Sequence, residues 1–144
     1  MRRPLASVAD CRLIELPTVP DPRGKLSIVE SARQVPFEIR RFYYLYDVPA
    51  GATRGGHAHR ELEQFVVGMS GSFDVRLSDG RDRREVTLRQ PNVGLYIPPM
   101  IWRDMVNFSY GSVCAVLASD FYDEADYYRD YDEFLTARTN ASAT

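Results

Sequence analysis

Two histidines, His57 and His59, stand one residue apart in Arg54-Gly55-Gly56-His57-Ala58-His59, and the 144-residue chain has no others. If this stretch is a strand, both imidazoles point to one face. Imidazole is the side chain whose ordinary titration falls near neutral pH. Two of them together make either half of a metal site or a pair of proton-transfer groups. Arg54, on the same segment, is placed to stabilise negative charge that develops beside them.

The elements that must position these groups read mostly as short strands. Cys11–Leu16, Lys25–Glu30, Ile39–Val48, Gln64–Gly68, Phe73–Leu77, Glu85–Leu88, Val93–Ile97 and Val113–Ala118 are rich in β-branched, aromatic and leucine residues. Turn signals separate them, among them Pro20-Asp21-Pro22-Arg23-Gly24, Pro49-Ala50-Gly51 and Pro98-Pro99. Asp79-Gly80 predicts a hairpin between Phe73–Leu77 and Glu85–Leu88. This rhythm is that of an all-β sandwich or barrel. The C-terminus differs. The acids from Asp123 to Asp126, followed by Tyr128, Tyr131, Phe134 and Leu135 at helical spacing, predict one α-helix over about 123–137 with an aromatic packing face. Residues 138–144 are small and polar and are expected to fray. There is no repeat and no linker, so the expectation is a single domain over 1–144.

Net charge is −2, which gives no electrostatic case for nucleic acid or an anionic membrane as partner. No segment approaches transmembrane length. The opening MRRPLASVADCRL lacks an apolar run long enough for a signal peptide. Cys11 and Cys114 belong to no metal or redox spacing and read as reduced, partly buried thiols of a cytoplasmic protein. Lys25 is the only lysine, so arginines carry the rest of the positive charge and suit bidentate phosphate or carboxylate binding.

The metal reading has a template. Metal-binding cupins carry G-x5-H-x-H-x3,4-E-x6-G, and this chain has Gly51, five residues, His57-x-His59, three residues and Glu63, with the last glycine displaced by one to Gly71. The second cupin motif, P-x-G-x2-H-x3-N, matches Pro98 and Asn107 at its ends, but Arg103 stands at the histidine position. Guanidinium offers no lone pair and stays positive. The cupin scaffold, a double-sheet jelly-roll barrel, is therefore supported while a metal is not.

Further residues carry a resemblance. Asp21-Pro22-Arg23-Gly24-Lys25-Leu26, Ile39 to Tyr44, Arg54 to His59 with Leu62-Glu63-Gln64, Gly94-Leu95-Tyr96, and the run Leu117 to Tyr127 resemble the sugar 3,4-ketoisomerases, metal-free cupins acting on dTDP-4-keto-6-deoxyglucose. The likeness covers about residues 11–135 (roughly, by motif ends). It implies an isomerase, without cofactor, that moves a keto group from C4 to C3 of a dTDP-linked 4-keto-6-deoxyhexose. It also implies a homodimer that exchanges N-terminal strands, in a pathway of deoxysugar biosynthesis. Arg103 departs from the histidine expected after the tryptophan in many members.

The chemistry needs a proton taken from C3, an enediolate, and a proton returned to C4. One of His57 and His59 would act at C3, His59 placed first, and the other would shuttle protons. Tyr43, by the resemblance, and Arg54 would stabilise the enediolate, although strand parity sends Tyr43 and Tyr44 to opposite faces and leaves open which faces the site. For substrate binding the candidates are Arg23, a phosphate contact by the resemblance, with Arg41, Gln64 and Arg103. Trp102 would line the pocket mouth or belong to the core. The alternatives are a dTDP-sugar epimerase on the same scaffold, a non-catalytic sugar-binding cupin, and a metal-dependent oxygenase.

Overall fold

The computed structural model describes residues 4–142. Its strands are β1 (Arg12–Glu15), β2 (Thr18–Asp21), β3 (Gly24–Ser27), β4 (Arg41–Leu45), β5 (Arg54–His59), β6 (Gln64–Ser70), β7 (Phe73–Ser78), β8 (Arg83–Leu88), β9 (Val93–Ile97), β10 (Trp102–Val106), β11 (Val113–Ala118) and β12 (Tyr127–Tyr128). One helix, α1 (Tyr131–Ser142), follows. One antiparallel sheet has the order β1-β9-β6-β11-β4 and a second the order β12-β5-β10-β7-β8, while β2 and β3 form a separate hairpin. No helix among the described residues is long and apolar enough to cross a membrane.

The two sheets face one another because each alternates. On β6 and β11, Val66, Cys114 and Val116 point inward and meet Val75, Leu77, Val86, Leu88 and Met105 of the opposite sheet. This interior is the jelly-roll core. The middle of the first sheet is buried on its outer face too: Phe65, Val67 and Tyr96 pack under Val35 and Phe37 of the long β3–β4 connection. That is why Phe65-Val66-Val67 reads as a continuous apolar run. Gly94 is required beside it, since a Cβ there would stand 2.1 Å from the Phe65 ring.

Strands β2, β5, β10 and β12 add to those expected from composition. β2 contains Pro20, which is tolerated because its only partner is β3 and the whole hairpin is exposed or nearly so. The loop after β7 falls at Asp79-Gly80 as expected. The Asp79 carboxylate organises it, accepting from the amides of Arg81 at 2.9 Å, Asp82 at 2.8 Å and Val8 at 2.9 Å.

The helix predicted over about 123–137 is corrected. Its first part is a 3₁₀ turn at Glu124–Asp126 and then β12, paired to β5 with Tyr127 opposite His59 and Tyr128 opposite Ala58. The acids look like a helix start, but Asp126 is tethered to β5 by side-chain and backbone hydrogen bonds, and tertiary pairing overrides local propensity. The true cap is Asp130, whose carboxylate accepts from the Glu133 amide at 3.0 Å. The fraying expected from residue 138 is also corrected up to Ser142; residues 143 and 144 lie outside the described part. Arg138 pins this end by donating to the carbonyls of Met100 at 2.6 Å and Ala6 at 2.9 Å.

The helix covers the outer face of the second sheet. Phe134 is fully buried against Trp102, at 5.8 Å between rings, and packs with Ala58 and Tyr128. Ala58 thus anchors the outer side of β5 while His57 and His59 occupy the inner side. We expect Phe134→Ala to lower the unfolding free energy by about 3–5 kcal/mol, read from urea titration. A loss under about 1 kcal/mol would show that α1 is not docked as described.

Candidate functional site

The site begins with a backbone irregularity. Gly55 and Gly56 both have left-handed backbone, at φ +86° and +69°. Across the β5–β10 ladder Arg103 pairs with His57, but the next residue, Asp104, pairs with Gly55, so β5 carries one extra residue there. This is a β-bulge, and glycine suits it. A Cβ on Gly55 would also stand 3.1 Å from the Arg103 carbonyl. In a regular strand Arg54 and His57, three residues apart, would face opposite ways. The bulge resets the parity, and both line one cavity of about 650 Å³.

At the wall of this cavity the imidazoles stand edge to face with ring centroids 4.8 Å apart. They are not equivalent. His57 lines the cavity directly; His59 is fully buried behind it. The Nδ1 of His59 contacts the Asp126 carboxylate at 3.1 Å. Burial holds His57 down to about 3, with the Arg103 charge adding to the effect and a backbone contact at Gly55 opposing it. Burial, then Arg103, then His57 hold His59 lower still. Both imidazoles are therefore neutral at physiological pH. The His59–Asp126 contact is a hydrogen bond to a carboxylate, not an ion pair.

Arg103 is the largest fully buried side chain. Its Nη1 donates to Gln64 Oε1 at 2.5 Å and its Nη2 to the Ile101 carbonyl at 2.9 Å. None of the ion pairs among the described residues includes it. Burial lowers its pKa to about 10, so it remains a cation. Gln64 passes the network on, donating from Nε2 to the Tyr43 hydroxyl at 3.1 Å. Tyr43 faces inward and Tyr44 outward, which settles the parity question. Burial raises the Tyr43 pKa, keeping its phenol protonated. Arg41 lies at the rim with its guanidinium 5.3 Å from the Tyr43 ring centroid.

Five buried side-chain polar atoms have no hydrogen-bond partner among the described residues, and four belong here: Arg41 Nε, His57 Nε2, His59 Nε2 and Arg103 Nε. Orphaned buried donors and acceptors are costly. Their concentration around one cavity marks it as built for a polar ligand.

His57, His59, Tyr43, Arg54, Arg41, Gln64 and Arg103 are thus brought together. Arg23 is not. It sits at the tip of the β2–β3 hairpin, 90% exposed and paired with Asp21 at 3.0 Å. Glu63, the third residue of the metal template, accepts from the Tyr96 hydroxyl at 2.6 Å and does not join the histidines. No group of three or more His, Cys, Asp or Glu among the described residues could hold a metal. Two imidazoles with a guanidinium beside them do not fit a dication. Trp102 takes the core role, packed on Tyr131 at 5.3 Å outside the barrel.

Sequence reasoning assigned no role to Asp126, Tyr127, Tyr122 or Arg129. The Tyr127 ring lies 4.4 Å from His59 and 5.0 Å from His57, and Arg129 covers Tyr127 at 4.2 Å while pairing with Glu124. Their signal was present in the acidic, tyrosine-rich run, but it read as a helix start. A second concavity, of about 550 Å³, lies on the outer face of the second sheet over Arg76, Arg83 and Trp102. It contains neither imidazole nor thiol.

Comparison with known proteins agrees with the geometry. Residues 9–139 match the family described as FdtA: WxcM-like, C-terminal. The TDP-4-oxo-6-deoxy-alpha-D-glucose-3,4-oxoisomerase of Aneurinibacillus thermoaerophilus is 46% identical over 123 residues, 85% of this chain and 88% of that protein. The crystal structure of a 3,4-ketoisomerase from Helicobacter canadensis superposes with a TM-score of 0.88 at 47% identity, covering 90% of this chain and 98% of that one. A histidine-to-asparagine variant of the 3,4-ketoisomerase QdtA from Thermoanaerobacterium thermosaccharolyticum, in complex with TDP-4-keto-6-deoxyglucose, superposes with a TM-score of 0.89 at 37% identity, covering 91% and 95%.

The buried neutral pair has a consequence for stability. Above about pH 6.5 both folded and unfolded chains hold the imidazoles neutral. Below it only the unfolded chain takes up protons, so stability falls as pH drops from 6.5 towards the depressed folded values. The pair should account for roughly 2 kcal/mol lost between about pH 6.5 and 5.5. Urea unfolding at both pH values should show this slope, and a His57→Gln/His59→Gln double variant should flatten it. An equal slope in the double variant would contradict the neutral assignment.

Proposed function

The chain belongs to the family described as FdtA: WxcM-like, C-terminal, which its 3,4-ketoisomerase relatives represent, and from that premise we propose that it moves the keto group of a dTDP-linked 4-keto-6-deoxyhexose from C4 to C3. The observation that carries the reading is a pair of neutral imidazoles with unpartnered Nε2 atoms, His57 lining and His59 directly behind a cavity that Arg41, Arg54 and Arg129 also line.

The C3 proton is acidified by the neighbouring carbonyl. His57, at the cavity surface, takes it through Nε2, and the electron pair moves into the C4 carbonyl to give an enediolate. Arg103 and Arg54 stabilise the negative charge, Arg103 most strongly because low dielectric surrounds it. Tyr43, protonated and held by Gln64, donates to the same oxygen. A proton then returns to C4, the C3 hydroxyl loses its proton, and the C4 oxygen gains one. Atoms and charge balance without a redox partner. His59, behind His57, exchanges protons with the oxygens and C4. This order gives the first proton transfer to His57 because His57, not His59, borders the cavity.

Arg23 serves the diphosphate from outside its own barrel. Its hairpin exposes Val19 at 54% and Leu26 at 56%, and on the outer side of edge strand β4 the rings of Phe42, Tyr44 and Tyr46 stack in an exposed ladder at 5.7 and 5.6 Å. Such surfaces suit burial against a second copy. The protein is then a homodimer in which the N-terminal arm of one subunit docks on the other. The two thiols, buried and unpaired, suit a cytoplasmic setting, where nucleotide sugars are made.

Incubation with dTDP-4-keto-6-deoxyglucose and NMR of the product tests the activity. A carbonyl at C3 is expected; an inverted stereocentre with the carbonyl still at C4 would mean epimerisation, and no turnover would mean a binding protein. His57→Asn should lower kcat by about 10²–10⁴-fold, and near-normal turnover in both His57→Asn and His59→Asn would overturn the mechanism. For the assembly, sedimentation should give a dimer that Val19→Asp/Leu26→Asp converts to monomer. A monomeric wild type would contradict it.

A further inference from the structure

We propose that Asp126 is a positioning residue of the isomerisation, holding His59 in the tautomer whose unpartnered Nε2 carries the lone pair. The kinetic part rests on the isomerase reading above; the structural part does not.

An ionised carboxylate only accepts hydrogen bonds. Its contact with His59 Nδ1 at 3.1 Å therefore places the ring proton on Nδ1. A neutral imidazole has one N–H, so Nε2 carries the lone pair, and Nε2 is the buried atom without a partner. The opposite tautomer would put the N–H on Nε2, leave that unpartnered nitrogen unable to accept a proton in the shuttle, and strand the Nδ1 lone pair against a carboxylate.

Asp126 is itself fixed. Its Oδ1 accepts from the Glu61 amide at 2.8 Å and its Oδ2 from the Leu62 amide at 3.3 Å. Its carbonyl accepts from the Arg60 amide at 2.9 Å, and β12 begins at the next residue, paired to β5. The carboxylate is thus clamped by the backbone that follows His59 in sequence. The segment that departs from the expected helix exists in this form to deliver one carboxylate to one imidazole nitrogen.

Asp126→Asn tests this without removing the side chain. The stronger amide contact, from Glu61, keeps the carboxamide oxygen at the Oδ1 position. The NH₂ group then faces His59 Nδ1 and donates to it, forcing the ring proton onto Nε2. Imidazole ¹⁵N spectra of the resting protein should show a protonated Nδ1 in wild type and a protonated Nε2 in the variant. With the dTDP-4-keto sugar, kcat should fall by at least about 10²-fold while KM stays within about threefold. An unchanged backbone amide spectrum checks that the variant folds. Wild-type His59 protonated on Nε2 would overturn the proposal whatever the activity. So would a variant that loses kcat with its tautomer unchanged, since Asp126 would then be structural only. If wild type turns over no sugar, the isomerase reading fails, and the tautomer alone decides the role of Asp126.

Discussion

Arg103 carries its charge into the interior of an apolar barrel, with no carboxylate beside it among the ion pairs of the described residues. Such burial costs several kcal/mol even after relaxation. Hydrogen bonds to Gln64 and the Ile101 carbonyl offset part of that cost and leave Nε unsatisfied. The remaining deficit has a direction: it favours any negative charge that forms in the cavity. Burial, with the same charge adding to it, disfavours protonated imidazole, so His57 and His59 are kept neutral. Through Gln64, Arg103 also fixes the Tyr43 hydroxyl. Burial and this one cation together keep both imidazoles neutral, the same cation fixes the phenol through Gln64, and in the proposed reaction it would favour an anionic intermediate.

The scaffold serves this arrangement by two local departures from regularity. The Gly55-Gly56 bulge turns Arg54 to the side of His57, which a regular strand could not do. The C-terminal run folds back as β12 instead of continuing into the helix, closing the second sheet at its edge and bringing Asp126 and Tyr127 to the histidines. Both departures lie where local preference and site geometry conflict, as expected where function dictates structure.

Much of this was legible in the chain. Strand composition and turn spacing gave the all-β class, and the continuous apolar runs of β6 and β11 match the two-faced burial seen there. The histidine pair and the arginine at the second motif pointed to proton transfer over metal ligation, because a guanidinium cannot replace a ligand. Three things were hidden. β10 comes shortly after Pro98-Pro99 and contains Arg103 and Asp104, so its sequence reads as a motif and not as a strand. Asp126 looks like a helix N-terminal acid, and only its contact across 67 residues reveals its partner. Arg23, placed by resemblance in a phosphate site, lies on an exposed hairpin outside the cavity, paired with Asp21.

The account turns on the histidine pair being neutral because it is buried beside Arg103. The direct measurement is an NMR titration of the two imidazoles in the intact protein, following their ring resonances from pH 8 to 5 (about the range in which free imidazole changes charge). The account predicts that neither resonance moves through a titration in that range, and that replacing Arg103 by glutamine raises both midpoints while burial still holds them below the ordinary histidine value. A midpoint near the ordinary histidine value in the wild-type protein would contradict it.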